Sequence, residues 1–274
     1  MAIQSELLRR SITAIFIGAF TLVPVIYASW SFILWLCIVH FLCVVEYMRV
    51  EKWDDAHPSS YILPIGLTLW LAGAGYLALT GKTMWISLAV LPVVLSVLML
   101  LRLIRQPMVD QIHHQGKTMS SAAAYLTLSL WTGCWLAGPS YQYKWVLIPI
   151  VLIWMNDTGA YVFGKRWGKR KIAAAISPGK SLEGTLGGAA SALLLAFVLT
   201  RIWPEIPAEY IWLLGILTPP FALAGDLYES ALKRKAGLKD SGTFLPGHGG
   251  FLDRYDSFLF VLPVAVLGYF IFAP

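Results

Sequence analysis

Apolar stretches long enough to cross a membrane follow one another along almost the whole of this chain. A helix of about 20 apolar residues spans the hydrocarbon core of a bilayer. Only 13% of the residues are charged and 58% are hydrophobic, whereas soluble domains carry about 25% charge. The pattern predicts an all-α polytopic membrane protein with about nine transmembrane helices, folded as a single integral membrane domain over residues 1–274. The predicted spans are residues 11–29, 31–49, 59–80, 84–104, 119–138, 144–163, 185–202, 210–228 and 255–273.

Lysine and arginine are distributed unevenly among the loops between these spans. With the N-terminus inside, 18 of the 21 basic residues lie in cytoplasmic segments, which is where basic loops are retained. The external side receives only Lys82, Lys144 and Arg201. The distribution predicts a cytoplasmic N-terminus and an external C-terminus, and it makes the net charge of +6 first of all a signal of topology.

The two halves of the chain differ in their polar content. Residues 1–140 are predicted to be mainly scaffold helices, whereas residues 150–260 hold the polar segments that can carry chemistry. Glu46 is an exception, because it lies near the cytoplasmic end of the second predicted span. An ionisable residue in a membrane segment is a functional candidate, but pairing with Arg49 at the interface explains Glu46 equally well.

The sixth predicted span contains an amide and a carboxylate side by side, Asn156 and Asp157. A carboxylate at the centre of a bilayer costs roughly 2.5–3.5 kcal/mol on insertion scales. Asp157 is therefore expected to face a wet or charged interior, where both residues would support a polar site.

The next polar segment is Ser177-Pro-Gly-Lys180-Ser181 with Glu183. Small hydroxyls, exposed backbone amides and one lysine can wrap a phosphate, although the Walker spacing GxxxxGK[ST] is absent. Ser181 and Glu183 could instead simply open the seventh helix. The preceding basic run, Lys165 to Lys171, is typical either of a topology determinant or of a contact with anionic lipid.

Near the C-terminus, Asp226, Glu229, Ser230 and Lys233 recur at positions i, i+3, i+4 and i+7. This spacing places them on one face of a helix. A solvated amphipathic face is the usual explanation for such a stripe, but this one begins at the end of an apolar span, where an unpaired acidic face is costly.

Asp253 and Asp256 repeat the pattern at the start of the last predicted span. From Asp226 to Asp256 the chain holds five carboxylates and five lysine or arginine residues. Carboxylates on two membrane helices joined by a glycine-rich loop can hold a hard cation through oxygen ligands. Mg²⁺ suits such a site, because it takes one or two carboxylates and leaves its other positions to water and substrate phosphates.

The basic residues of the same run can neutralise phosphate charge during phosphoryl or nucleotidyl transfer. These are Lys233, Arg234, Lys239 and Arg254. His248 lies between two glycines and is either an acid or base or an anchor of the loop.

The ordered run that begins at Ser230-Ala-Leu-Lys-Arg234 closely resembles the signature of the phosphatidate cytidylyltransferases, also called CDP-diacylglycerol synthases. It continues as Lys239-Asp240-Ser-Gly-Thr-Phe-Leu-Pro-Gly-His248-Gly-Gly-Phe-Leu-Asp253-Arg254-Tyr-Asp256. The segments Asn156–Gly164 and Ser177–Gly184 are similar to other polar segments of that family, so the resemblance covers about residues 150 to 260. Tyr255 departs from the pattern, where an aliphatic residue, Phe or Thr is expected, and this affects packing rather than chemistry.

The resemblance implies transfer of CMP from CTP to phosphatidate, giving CDP-diacylglycerol and pyrophosphate in phospholipid biosynthesis. It also implies Mg²⁺ as the cofactor with K⁺ as a second ion, a homodimer among membrane lipids, and no nucleic-acid partner. Asp226 and Asp253 would be the ion ligands. The expected location is a bacterial inner membrane, with the active site facing the cytoplasm.

The complete predicted site has three parts. The catalytic set is Asp226, Lys233, Lys239, Asp240, Asp253 and Arg254. The substrate-binding and phosphate-binding set is Ser177, Lys180, Ser181, Glu183, Ser230, Arg234, His248, Gly249 and Gly250. The supporting polar set is Asn156, Asp157, Glu229 and Asp256.

Two other classes of protein stay open at this point. A cation-dependent membrane transporter or channel would also place carboxylates in the membrane, but it predicts carboxylates at all depths rather than on the cytoplasmic side alone. Within enzymes, a lipid kinase acting on a polyprenol is the other alternative.

Overall fold

The computed structural model describes residues 2–50, 62–80, 117–245 and 249–273. A 3₁₀ turn, Cys134–Ala137, follows the fourth helix. The helices are α1 Ala2–Tyr27, α2 Ser29–Val50, α3 Ile62–Leu79, α4 Lys117–Gly133, α5 Tyr143–Trp167, α6 Leu182–Ile202, α7 Ala208–Ala236 and α8 Leu252–Phe272.

Five of these helices, α2, α5, α6, α7 and α8, are long and apolar enough to cross a membrane. Shorter apolar stretches occupy Ser11–Tyr27 in α1 and Pro64–Leu79 in α3. The prediction of a helical membrane protein is confirmed at this level. The predicted span 84–104 lies outside the described residues, and the total of nine spans and the orientation of the termini stay predictions.

A small antiparallel sheet interrupts the helical pattern between α5 and α6. It pairs β1, Lys171–Ala173, with β2, Ser177–Ser181. The chain reverses between them, and the Ile176 N–H donates to the Ala173 carbonyl at 3.1 Å. The segment predicted as a phosphate-wrapping loop is therefore the second strand of a hairpin, a feature that the all-α prediction did not include.

The chain divides into two compact units, which are described separately. The first contains α1 to α4 together with residues 232–255, and α2 packs against α1, α3 and α4. A buried histidine of α2 links these helices through polar contacts. The two ring nitrogens of His40 lie 2.8 Å from Thr68 Oγ1 and 3.0 Å from Thr127 Oγ1.

The second unit contains residues 144–231 and 256–273. Here α5 and α6 approach closely along a glycine seam, defined as Gly159, Gly187 and Gly188. A Cβ added at Gly159 would lie 2.3 Å from Ser191 Oγ, and one added at Gly188 would lie 2.7 Å from the Asn156 carbonyl oxygen. Small residues allow the backbones of membrane helices to approach in this way. The seam sets the position of Asn156 and Asp157 against α6.

The polar end of α7 extends well beyond the span that apolarity predicts. The helix continues to Ala236 and ends at Gly237, whose φ is +75°. The Leu238 N–H donates to the Lys233 carbonyl at 2.8 Å and the Gly237 N–H donates to the Arg234 carbonyl at 3.1 Å. This is a Schellman-type C-terminus, in which glycine adopts the left-handed conformation without steric cost.

Candidate active site

Ser181 and Glu183 organise the junction between β2 and α6. Ser181 is the N-cap of α6, and its Oγ accepts a hydrogen bond from the Gly184 N–H at 3.2 Å. One oxygen of Glu183 accepts the backbone N–H groups of Lys169 at 2.9 Å and Arg170 at 3.1 Å. These are the contacts expected if the two residues open the helix, and their predicted contact with phosphate stays a prediction.

Lys180 and Asp226 form an ion pair within the second unit. Their side chains are 31% and 22% exposed, so the pair is partly open to solvent. Ser230 lies one turn further along α7, and its hydroxyl donates to the second Asp226 oxygen at 3.4 Å. The structure thus brings together a predicted phosphate ligand, Lys180, and a predicted metal ligand, Asp226.

Two more carboxylates act on Lys180. Burial lowers the pKa of this lysine, but the charge of Asp226, its hydrogen bond, and the charges of Asp157 and Asp256 outweigh burial and raise the pKa above its ordinary value. Lys180 is therefore protonated at neutral pH. Lys180, Asp226, Ser230, Asp157 and Asp256 are called the Lys180 cluster below.

Asn156 completes the surroundings of the Lys180 cluster, because its side-chain amide donates to Asp157 Oδ1 at 3.1 Å. Three carboxylates thus act on one lysine. Carboxylate oxygens are suitable donors for Mg²⁺, which takes one or two of them together with substrate phosphates. The donor set fits such a cation, although no group of three or more His, Cys, Asp or Glu in the described ranges has the arrangement of a metal site.

A second lysine–aspartate pair lies within the first unit. Lys233 Nζ is 2.5 Å from Asp253 Oδ1, and the two side chains are only 12% and 6% exposed. The other oxygen, Asp253 Oδ2, accepts the backbone N–H groups of Ser241 at 3.0 Å and Gly250 at 2.8 Å. Lys233, Asp253, Ser241 and Gly250 are called the Lys233 cluster below. Both oxygens of Asp253 already have partners, and its predicted role as a metal ligand stays a prediction.

Glu46 joins the Lys233 cluster from α2. Its Oε2 accepts the Ser241 hydroxyl at 2.9 Å and the Leu252 N–H at 2.8 Å, and the residue is only 4% exposed. Sequence reasoning left Glu46 open between a function and a pair with Arg49. It missed this contact because Glu46 and Ser241 are 195 positions apart; the signal available was an ionisable residue in an apolar helix.

The remaining residues of the predicted site differ in exposure. Gly249 has a φ of +84°, and a Cβ there would lie 2.7 Å from Asp253 Oδ2, so only glycine fits. Glu229 is buried in α7 and Ser177 is half-buried in β2. His248 lies outside the described residues. The exposed members are Arg234, Lys239, Asp240 and Arg254.

Tyr255, the one departure from the family pattern, is buried and has a specific polar partner. Its hydroxyl lies 2.9 Å from Thr21 Oγ1, and its ring packs edge-on against Trp35 with the ring centres 5.7 Å apart. A buried tyrosine hydroxyl needs such a partner. Thr21 supplies it, so the tyrosine is accommodated as a contact between α1 and α8.

The sequence profile of the cytidylyltransferase family matches residues 8–272. The chain belongs to this family, which confirms the resemblance seen in its polar segments.

Three relatives named phosphatidate cytidylyltransferase show how close the similarity is. The protein from Bacillus subtilis is 50% identical over 125 residues, which are 45% of this chain and 46% of that protein. The protein from Staphylococcus epidermidis is 45% identical over 124 residues, 44% of this chain and 47% of that protein. The protein from Staphylococcus aureus is 44% identical over 122 residues, 44% of this chain and 46% of that protein. The matched segment thus spans about half the length of these curated relatives.

Proposed function

We propose that this protein transfers CMP from CTP to phosphatidate, forming CDP-diacylglycerol and pyrophosphate for phospholipid biosynthesis. The observation that carries the proposal is the Lys180 cluster, in a chain that belongs to the cytidylyltransferase family. A protonated lysine among three carboxylates offers both a contact for phosphate and oxygen ligands for a cation. The names of the relatives agree with this activity.

The reaction needs little covalent help from the protein. A phosphate oxygen of phosphatidate attacks the α-phosphorus of CTP and forms a new P–O bond. The bond from the α-phosphorus to the oxygen that bridges it to the β-phosphorus breaks, and that oxygen leaves with the electron pair as part of pyrophosphate. The attacking phosphate is already an anion, so no strong base is required. Lys180 keeps its proton and acts as a charge partner for phosphate, which is the usual form of catalysis in phosphoryl transfer.

The cation that fits the Lys180 cluster is Mg²⁺, with Asp226 as the main ligand and Asp157 and Asp256 as the neighbouring carboxylates. When bound, Mg²⁺ neutralises phosphate charge and polarises the phosphoryl oxygens. Asp253 as a second ligand and K⁺ as a second ion remain part of the proposal.

The predicted cationic residues of the polar run have a role at the surface of the site. Arg234, Lys239 and Arg254 are exposed, and a cation in water can meet an incoming triphosphate before it is desolvated. We propose that they attract CTP and pyrophosphate, while Asp240 limits the net positive charge beside them.

The placement of the reaction follows from the distribution of basic residues. CTP is supplied by the cytosol and phosphatidate by the cytoplasmic leaflet, so the active site faces the cytoplasm at the inner membrane of a bacterium. The functional form is a homodimer. Nucleic acid is not a substrate or partner.

The assay that tests the proposal uses purified protein in detergent micelles with CTP labelled at the α-phosphorus. Label is expected to move into the organic phase when Mg²⁺ and phosphatidate are both present, and to stay in water when the metal is chelated. Folded protein that transfers no label to phosphatidate or to any other lipid phosphate would contradict the proposal.

A second label separates the proposal from its alternatives. CTP labelled at the γ-phosphorus should leave no label in lipid, whereas a polyprenol kinase would transfer that label to its alcohol. A transporter or channel would transfer neither label. The family membership and the names of the relatives do not favour these alternatives.

A further inference from the structure

Glu46 lies in the part of the chain predicted to be scaffold, yet its carboxylate contacts the polar run near the C-terminus. One oxygen, Oε2, accepts two hydrogen bonds, from the Ser241 hydroxyl at 2.9 Å and from the Leu252 N–H at 2.8 Å. These partners stand at the two ends of the segment that joins α7 to α8. A single carboxylate oxygen therefore ties both ends of this segment to α2.

The glycines at each end of the segment have the shape that this contact requires. A Cβ at Gly242 would lie 2.7 Å from Glu46 Oε1, and a Cβ at Gly250 would lie 2.4 Å from Glu46 Oε2 and 2.1 Å from Ser241 Oγ. Real Cβ atoms do not approach other heavy atoms so closely. The backbone at Gly242 and Gly250 thus packs directly on the Glu46 carboxylate.

Ser241 connects Glu46 to Asp253. Its hydroxyl donates to Glu46 and its backbone N–H donates to Asp253 Oδ2 at 3.0 Å. Gly250 makes the same connection from the other end, since its N–H donates to Asp253 Oδ2 at 2.8 Å. The position of the Asp253 carboxylate, and through it of Lys233, depends on backbone groups that Glu46 holds in place.

The start of α8 explains why a carboxylate is suitable here. The first N–H groups of a helix lack partners inside the helix, and negative charge near them is stabilising. Leu252 is the first residue of α8, and its N–H group is satisfied by Glu46. Glu46 therefore supplies from α2 the cap that the local sequence of α8 does not provide.

We infer that Glu46 is a positioning residue of the active site: it holds Ser241 and the first turn of α8 so that Asp253 faces Lys233 in a fixed orientation. This inference rests on the proposed function, because Asp253 belongs to the predicted catalytic set. Residues that act through a catalytic group in this way typically change activity by about 10- to 100-fold.

Three variants separate the acceptor role of Glu46 from its charge and its volume. Glu46→Leu keeps most of the volume and removes both acceptors. Glu46→Gln keeps an amide oxygen that can accept both hydrogen bonds, so it is the conservative rescue. Ser241→Ala removes one of the two bonds from the other side. Glu209→Leu is the matched control, because Glu209 is exposed at the start of α7.

The first readout is turnover per folded molecule with CTP and phosphatidate. We expect Glu46→Leu to lower kcat by about 10- to 100-fold with a much smaller change in the KM for CTP. Glu46→Gln should recover most of the loss, and Glu209→Leu should match the parent protein. Adding Ser241→Ala to Glu46→Leu should change kcat little further, because both changes remove the same contact.

The second readout does not depend on activity. Hydrogen exchange should become about tenfold faster at the Gly250 and Leu252 amides of Glu46→Leu, as expected when a buried contact that holds them is lost, while α5 keeps the exchange rates of the parent protein. Unchanged exchange at these amides, or an unchanged kcat in folded Glu46→Leu, would overturn the inference. If the parent protein itself transfers no CMP, the proposed function fails, and exchange alone then decides whether Glu46 holds the segment.

Discussion

The two lysine–aspartate pairs differ in how completely the protein satisfies them. In the Lys233 cluster the carboxylate is nearly buried, and both of its oxygens have partners from the protein. In the Lys180 cluster the pair is partly exposed, and two further carboxylates act on the same lysine. A satisfied pair organises structure, whereas a pair with surplus charge of one sign can still take a ligand. The comparison identifies the Lys180 cluster as the centre for cation and substrate, and the Lys233 cluster as its organised counterpart.

The largest expected effect comes from removing the charge of Asp226. Asp226→Asn keeps the shape of the side chain but weakens its hold on a cation, which contributes several kcal/mol to such reactions. We expect kcat to fall by about 10³-fold with little change in thermal stability, because the site is partly open to water. Label transfer at increasing Mg²⁺ concentrations measures the effect. Normal turnover in this variant would break the comparison, since the open pair would then not be the cation site.

The next effect concerns the buried pair and is mainly one of stability. Asp253→Asn turns an acceptor beside Lys233 Nζ into a donor and leaves a buried positive charge, which costs about 3 kcal/mol when a partner is removed. We expect a clear drop in the midpoint of thermal unfolding together with loss of label transfer. Combining this change with Lys233→Met should restore much of the stability but not the activity. If the single variant is as stable as the parent protein and equally active, both the organising role and the predicted catalytic role of Asp253 are wrong.

A smaller effect is expected from Lys180→Gln, which removes the charge but keeps polar contacts. Loss of one charge-assisted contact with phosphate should reduce kcat/KM for CTP by about 10-fold or more. The expected pH dependence follows from the raised pKa of Lys180. A raised pKa means that the pair stabilises the fold fully below the ordinary lysine pKa of about 10.4, and that this contribution is lost only as the pH rises through the higher pKa of the folded state.

Thermal unfolding of the parent protein and of Lys180→Gln at several pH values checks this sign. The difference between their unfolding midpoints should be constant from pH 7 to about pH 10 and should shrink only above that range. A difference that shrinks between pH 7 and 9 would mean that Lys180 loses its proton near neutral pH, and that it is a general base rather than a charge partner for phosphate.

The smallest effect is expected at the start of α6. Ser181→Ala removes the N-cap and should destabilise the protein by about 1 kcal/mol, with activity reduced only in proportion to the unfolded fraction. Ser181→Asn keeps a capping side chain and should restore stability, and Thr200→Ala at the other end of α6 is the control. A large rise in the KM for CTP in well-folded Ser181→Ala would instead show that Ser181 binds phosphate, as the sequence predicts.

Apolarity along the chain predicts the membrane class and most helix centres, because the requirement for apolar side chains in lipid is strong and local. It predicts ends less well: the eighth predicted span ends at residue 228, whereas α7 continues to Ala236. Residues 229–236 are polar but helical, so a criterion based on apolarity stops too early. The spacing of Asp226, Glu229, Ser230 and Lys233 nevertheless predicts that they share this helix.

Contacts between distant segments are the part that sequence reasoning does not reach. The motif resemblance predicts the family, which the family profile confirms, and it selects both Lys180 and Asp226. It does not pair them, since nothing local relates a strand residue to a residue 46 positions later. Glu46 shows the same limit, because Arg49 one turn away is an equally reasonable partner until the fold shows Ser241 beside it.

The contact between Glu46 and Ser241 also has a consequence for the order of events during synthesis. The acceptor lies in the second helix to leave the ribosome, and its donors lie 195 and 206 positions later. The seam between α5 and α6 joins neighbours in the chain and can close early, whereas Glu46 must wait until α8 has been translated. During that interval its carboxylate needs water or the lipid–water interface as a partner. Closing the segment onto α2 is thus among the last steps by which the nascent protein reaches its working form.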